Sequence, residues 1–141
     1  MTAFLFGCGG GGGGDNSGTD EPPTISNAFI SPAVATYYQG GGTINVNLTM
    51  KFTDSGGNVK SFTLNIYDVN NSQLSTNTYP ISGISGVTNG TISGVVTIPT
   101  TTIGNYTWKI FVTDAASHKS NILNGSFDII TSQMTQSSAT A

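Results

Sequence analysis

Between residues 22 and 130 apolar and polar residues alternate with a period of two. Ile44, Val46, Leu48, Met50 and Phe52 alternate without a break with Asn45, Asn47, Thr49 and Lys51, the pattern of a strand with one buried face. The run stops at Asp54-Ser55-Gly56-Gly57-Asn58, a turn cluster. Phe62, Leu64 and Ile66 alternate next and end at Asp68-Val69-Asn70-Asn71. Ile92, Gly94, Val96 and Ile98 repeat the pattern before Pro99, and Tyr106, Trp108, Ile110 and Val112 carry it to Asp114. Leu123, Gly125, Phe127 and Ile129 close the segment. Ile25 to Ile30 and Leu74 to Ile81 are weaker, and Pro32 and Pro80 beside them suit edges or turns. No segment carries a helical apolar stripe. About seven short strands separated by turn signals predict an all-β, antiparallel sandwich over residues 22–130.

Composition limits what such a domain does. Only 8% of the 141 residues are charged, the formal net charge is −3, and there is one cysteine and one histidine. Four cations, all lysine, cannot neutralise a run of phosphates, which argues against a nucleic-acid partner. One cysteine forms no internal disulfide, and one cysteine with one histidine does not build a structural zinc site. No apolar run reaches 18 residues, the length of a membrane-spanning helix.

Gly104-Asn105-Tyr106-Thr107-Trp108-Lys109-Ile110-Phe111-Val112-Thr113-Asp114 resembles strand F of bacterial immunoglobulin-like and fibronectin-type-III-like or cadherin-like modules. The resemblance implies that the Tyr106 hydroxyl bonds back to the preceding corner. It also places Trp108 as an aromatic plug where antibody domains carry a cysteine. Phe52 to Ser61 resembles the end of strand B, its loop and the start of strand C. The stretch from Val112 to Ser120 echoes it, as two similar loop solutions within one domain.

Leu5-Phe6-Gly7-Cys8 resembles the lipobox of bacterial lipoproteins. It implies lipidation at Cys8, a signal-peptide remnant before it, and a membrane partner reached through that anchor. Phe6 and the absence of a basic segment ahead of it depart from the pattern. Residues 1–21 are then remnant, lipobox and glycine-rich tether, and 131–141 a polar tail. The expected address is a bacterial cell envelope, anchored in the outer membrane or displayed on the surface. The expected job is non-catalytic: presenting the module for adhesion, scaffolding or docking of an envelope protein.

Chemistry is sparse. His118 is read as a solvated loop histidine: a Ser–His–Asp site needs a base oriented by a third group beside a nucleophile, and Asp114 four residues ahead of it in a turn does not build that. The carboxylates are too few and scattered for a glycosidase pair. No cofactor is expected, with calcium the one metal the residues suit. If the B–C and F–G loops share an end, Asp54 and Asp114 meet there, joined by Asp20 or Glu21 and by the Asn58 oxygen. The competing reading is that both aspartates bond their own turns. A glycan ligand is the other alternative, with Tyr37 and Tyr38 as the stacking pair and Tyr67, Tyr79 and Phe111 as further outward aromatics.

Overall fold

The computed structural model describes residues 4–8, 20–36, 42–100 and 102–130. They form nine strands and no helix: β1 (Phe4–Cys8), β2 (Thr24–Ser31), β3 (Val34–Thr36), β4 (Thr43–Thr53), β5 (Val59–Tyr67), β6 (Gln73–Pro80), β7 (Asn89–Pro99), β8 (Gly104–Asp114) and β9 (Leu123–Ile130). One sheet has the order β1-β7-β4-β2 and the other β3-β9-β8-β5-β6. Every pairing is antiparallel except β3 with β9. The molecule is an immunoglobulin-like β-sandwich.

The alternation seen in the sequence sorts residues between the sheets and solvent. Val46, Leu48, Met50 and Phe52 of β4 face Phe62, Leu64 and Ile66 of β5 and Tyr106, Trp108, Ile110 and Val112 of β8 in one buried cluster. Their polar alternates stand outside, where Asn45 accepts a hydrogen bond from Thr97 at 3.0 Å. The two weak strands, β2 and β6, do lie at sheet edges.

The strand-F resemblance is met in detail. Tyr106 Oη donates to the Thr102 carbonyl at 2.7 Å and accepts from the Thr102 amide at 2.9 Å. Trp108 lies opposite Gly125 of β9, where a Cβ would collide with the indole ring.

Two strands escape the periodicity. β3 is three residues long, too short to show a period, and pairs in parallel with Asp128–Ile130. β1 falls in the segment read as signal remnant and tether. It pairs along the edge of β7, Phe4 opposite Gly94 through Cys8 opposite Gly90. The polar tail, residues 131–141, and the pair Tyr37 and Tyr38 lie outside the described residues.

Candidate metal centre

β8 ends in Asp114 and β4 is followed directly by Asp54, and each aspartate caps the loop that follows. Asp54 Oδ2 accepts the Asn58 amide at 2.8 Å, while the Gly57 amide donates to the Asp54 carbonyl at 2.9 Å. Asp114 Oδ1 accepts the Ala116 and His118 amides, each at 2.8 Å, and the Ser117 amide donates to the Asp114 carbonyl at 3.0 Å. The same four-residue step, Asp54 to Asn58 and Asp114 to His118, explains the sequence echo. Side-chain carboxylates compete for nearby backbone donors in this way wherever a strand gives way to a tight turn.

The loops touch. The Ala115 amide donates to the Asn58 carbonyl at 3.0 Å, which fixes the B–C and F–G turns side by side at one pole. Asp20 joins them from ahead of β2, its Oδ2 accepting Asn58 Nδ2 at 3.0 Å. Gly56 makes room for it, since a Cβ there would collide with Asp20 Oδ1. Glu21, the other acid considered for this place, is exposed. Ligating atoms of Asp20, Asp114 and His118 all lie within 4.8 Å of one another.

Turn capping alone does not account for this arrangement. Asp68, just after β5, accepts the Asn70 and Ser72 amides at 2.8 and 2.9 Å and is only half-buried. Asp54 and Asp114, by contrast, are 2% and 0% exposed. Among the described residues, Asp20 Oδ1, Asp54 Oδ1 and Asn58 Oδ1 are buried and have no hydrogen-bond partner. Burial raises the Asp54 carboxyl above its ordinary value. The Asn58 amide works against this, the Asp114 and Asp20 charges add to it, and the Gly56 amide again opposes it. Buried oxygens without partners are costly, and several converging carboxylates more so.

His118 is more engaged than a solvated loop histidine. Its Nδ1 stands 2.9 Å from Asp114 Oδ2, with the ring 38% exposed and the carboxylate fully covered. Both Asp114 oxygens are thereby in use, whereas one oxygen each of Asp20, Asp54 and Asn58 is not. The open donors are all hard oxygens, the ligands that calcium takes. The sequence placed Asp54, Asp114 and Asn58 here and offered Asp20 as one of two acids. It missed the His118–Asp114 contact, although their four-residue spacing repeats that of Asp54 and Asn58.

The aromatics expected outside are mostly half-covered. Tyr79 turns inward and stacks on Phe62 at 4.9 Å, which corrects its assignment as an outward aromatic. Tyr67 lies under Lys109 Nζ at 5.0 Å and Phe111 under Lys119 Nζ at 5.2 Å. An open groove of about 450 Å³ on the first sheet is lined by Thr24, Ser26, Lys51, Thr53, Asn89 and Thr91, with Phe52 buried beneath.

The sequence matches no protein-family profile and no curated protein. Solved structures align with most of this chain at low similarity. CopC from Methylosinus trichosporium OB3b aligns at 14% identity and a TM-score of 0.48, covering 81% of this chain and 99% of that one. The CARDB domain of the PF1109 protein from Pyrococcus furiosus, in complex with di-metal ions, aligns at 14% identity and a TM-score of 0.40, covering 79% and 94%. The alkylpurine DNA glycosylase AlkC from Pseudomonas fluorescens aligns at 11% identity and a TM-score of 0.47, over 78% of this chain but 30% of that one. Such distant likeness concerns the β architecture and says nothing of ligand or activity. Fold and loop pole together define an immunoglobulin-like sandwich with an acidic candidate metal centre between its B–C and F–G turns.

Proposed function

We propose that the domain is a non-catalytic cell-envelope module whose loop pole binds one divalent cation, calcium by preference. The observation that carries this reading is the cluster of Asp20, Asp114 and His118, whose ligating atoms lie within 4.8 Å of one another at the pole where Asp20 Oδ1, Asp54 Oδ1 and Asn58 Oδ1 are buried without partners. Asp20, Asp54 and Asn58 supply direct ligands. Asp114 contributes charge, its carboxylate held by two amides and by His118. Water completes the six to eight oxygens that calcium requires. An ion at this point relieves the mutual repulsion of the acids and satisfies the orphaned oxygens, so that binding and folding stability are coupled.

The envelope address and the lipid anchor at Cys8 belong to this proposal, on the strength of the lipobox resemblance. An anchor at Cys8 leaves residues 9–19 between the lipid and Asp20, a length of chain that spans at most about 38 Å. Adhesion, scaffolding and protein docking remain the roles proposed for the displayed module. A glycan ligand is less favoured, because the described groove presents hydroxyls and one lysine with no exposed ring to stack on a sugar.

Thermal unfolding after EDTA treatment, repeated with calcium, magnesium, manganese and zinc, tests the site. Stabilisation by calcium exceeding that by the other ions is expected. Unchanged melting with all four ions refutes the proposal, and a preference for zinc refutes the calcium assignment.

A further inference from the structure

We infer that the cation is a latch on the segment preceding β2, with Asp20 as the strike. The inference rests on the calcium reading and adds what the ion does. Asp54, Asn58, Asp114 and His118 belong to two loops that are already joined through the Ala115 amide and the Asn58 carbonyl. Those four positions stay together whether or not an ion is bound. Asp20 is different, for it lies four residues ahead of β2 and outside both sheets. Its side-chain hydrogen bond to this pole is the one from Asn58 Nδ2, at 3.0 Å.

Its other oxygen, Oδ1, is buried and has no partner, over a glycine whose lack of a side chain admits it. Asp20 also faces a carboxylate, its ligating oxygen lying within 4.8 Å of those of Asp114 and His118. Without a cation, repulsion from Asp114 pushes Asp20 outward, against the Asn58 hydrogen bond and the neighbouring His118 ring. With a cation the sign reverses, and the same acid draws Asp20 in. The Asp114 carboxylate beside Asp20 is the group toward which such a latch closes, and the buried Asp54 Oδ1 at the same pole is a further donor.

Cys8 lies opposite Gly90 at the same end of the first sheet as Asp20. The latch fixes Asp20, the point from which the chain enters β2.

The full chain, labelled with nitrogen-15, tests this when combined with calorimetric calcium titration. Calcium should raise the heteronuclear NOE of Thr19, Asp20 and Glu21 toward the values of the strands. Asp20→Ala should weaken calcium binding at least tenfold. Gly56→Ala, which obstructs Asp20 and leaves the Asp54 and Asp114 carboxylates in place, should do the same and should abolish the NOE change. Calcium binding with the NOE of residues 19–21 unchanged overturns the latch and leaves the metal site standing. Equal affinity in Asp20→Ala and the parent likewise overturns it. Absence of any calcium heat in the parent overturns both the latch and the site.

Discussion

Replacing Asp54 by asparagine keeps an oxygen to accept the Asn58 amide and removes one of three clustered negative charges. Ordinary loss of a buried capping residue destabilises a protein by about 1 kcal/mol or more. Here the electrostatics point the other way. Ligating atoms of Asp20 and Asp114 lie within 4.8 Å of each other, and Asp54 is raised by both. Two carboxylates about 6 Å apart repel by about 0.7 kcal/mol in water and about 2.8 kcal/mol at an effective dielectric of 20. Asp114 is covered and Asp20 only half-covered, and His118 offsets part of the charge. We therefore expect Asp54→Asn to stabilise the metal-free protein by about 1–2 kcal/mol, which raises Tm by roughly 3–10 °C. Calcium at a hundred times its Kd should stabilise the parent by about 2.7 kcal/mol and the variant hardly at all. Differential scanning calorimetry in EDTA and in calcium, at pH 7.5, reads all four values. A metal-free variant that melts below the parent, or one that still responds fully to calcium, refutes the reasoning.

The remaining expectations follow from other parts of the fold. Because the folded Asp54 carboxyl is raised, its contribution to stability is present below the unfolded value of about 3.9 and is lost as pH rises through the folded one. Urea titrations in EDTA from pH 4 to 8 should show that loss in the parent but not in Asp54→Asn, and calcium should cancel it at the upper end. Tyr106→Phe deprives the Thr102 amide and carbonyl of their partner and should cost about 1–3 kcal/mol in urea unfolding without altering calcium affinity. Gly125→Ala forces a methyl against the Trp108 ring and should cost about 1–3 kcal/mol, with a changed tryptophan emission. If Cys8 becomes the mature N-terminus, Phe4–Gly7 leave and the β7 edge loses its partner strand. Hydrogen exchange at Gly90–Gly94 should then be faster in protein beginning at residue 8 than in the full chain.

The strands and the site were legible in the sequence to different depths. A two-residue period is a direct image of a half-buried strand, so β4, β5, β7, β8 and β9 could be read residue by residue. β1 could not, because Phe4–Cys8 pairs through its backbone and its apolar run looks the same in a leader as in an edge strand. β3 is parallel to a strand more than ninety residues away, a tertiary fact with no local signature. At the loop pole, Asp54 and Asp114 announced themselves as strand-ending aspartates, and the immunoglobulin-like topology brought their turns together. The choice of Asp20 over Glu21 depends on the space above Gly56, which no local pattern encodes. Tyr79 was misplaced because outward and inward positions on a short edge strand differ by one residue, and its ring stacks on Phe62 across the sheet.

Calcium titration of the nitrogen-15-labelled chain, followed through the backbone amides of Gly56, Asn58, Ala116 and His118 and the Asn58 side-chain amide, tests the metal centre most directly. These signals should move together along one saturable curve, in the millimolar range or tighter as extracellular calcium modules show, while the Asp68 turn at the opposite pole stays still. Signals at the pole that remain unmoved at 10 mM calcium, or that shift no more than those around Asp68, would contradict it.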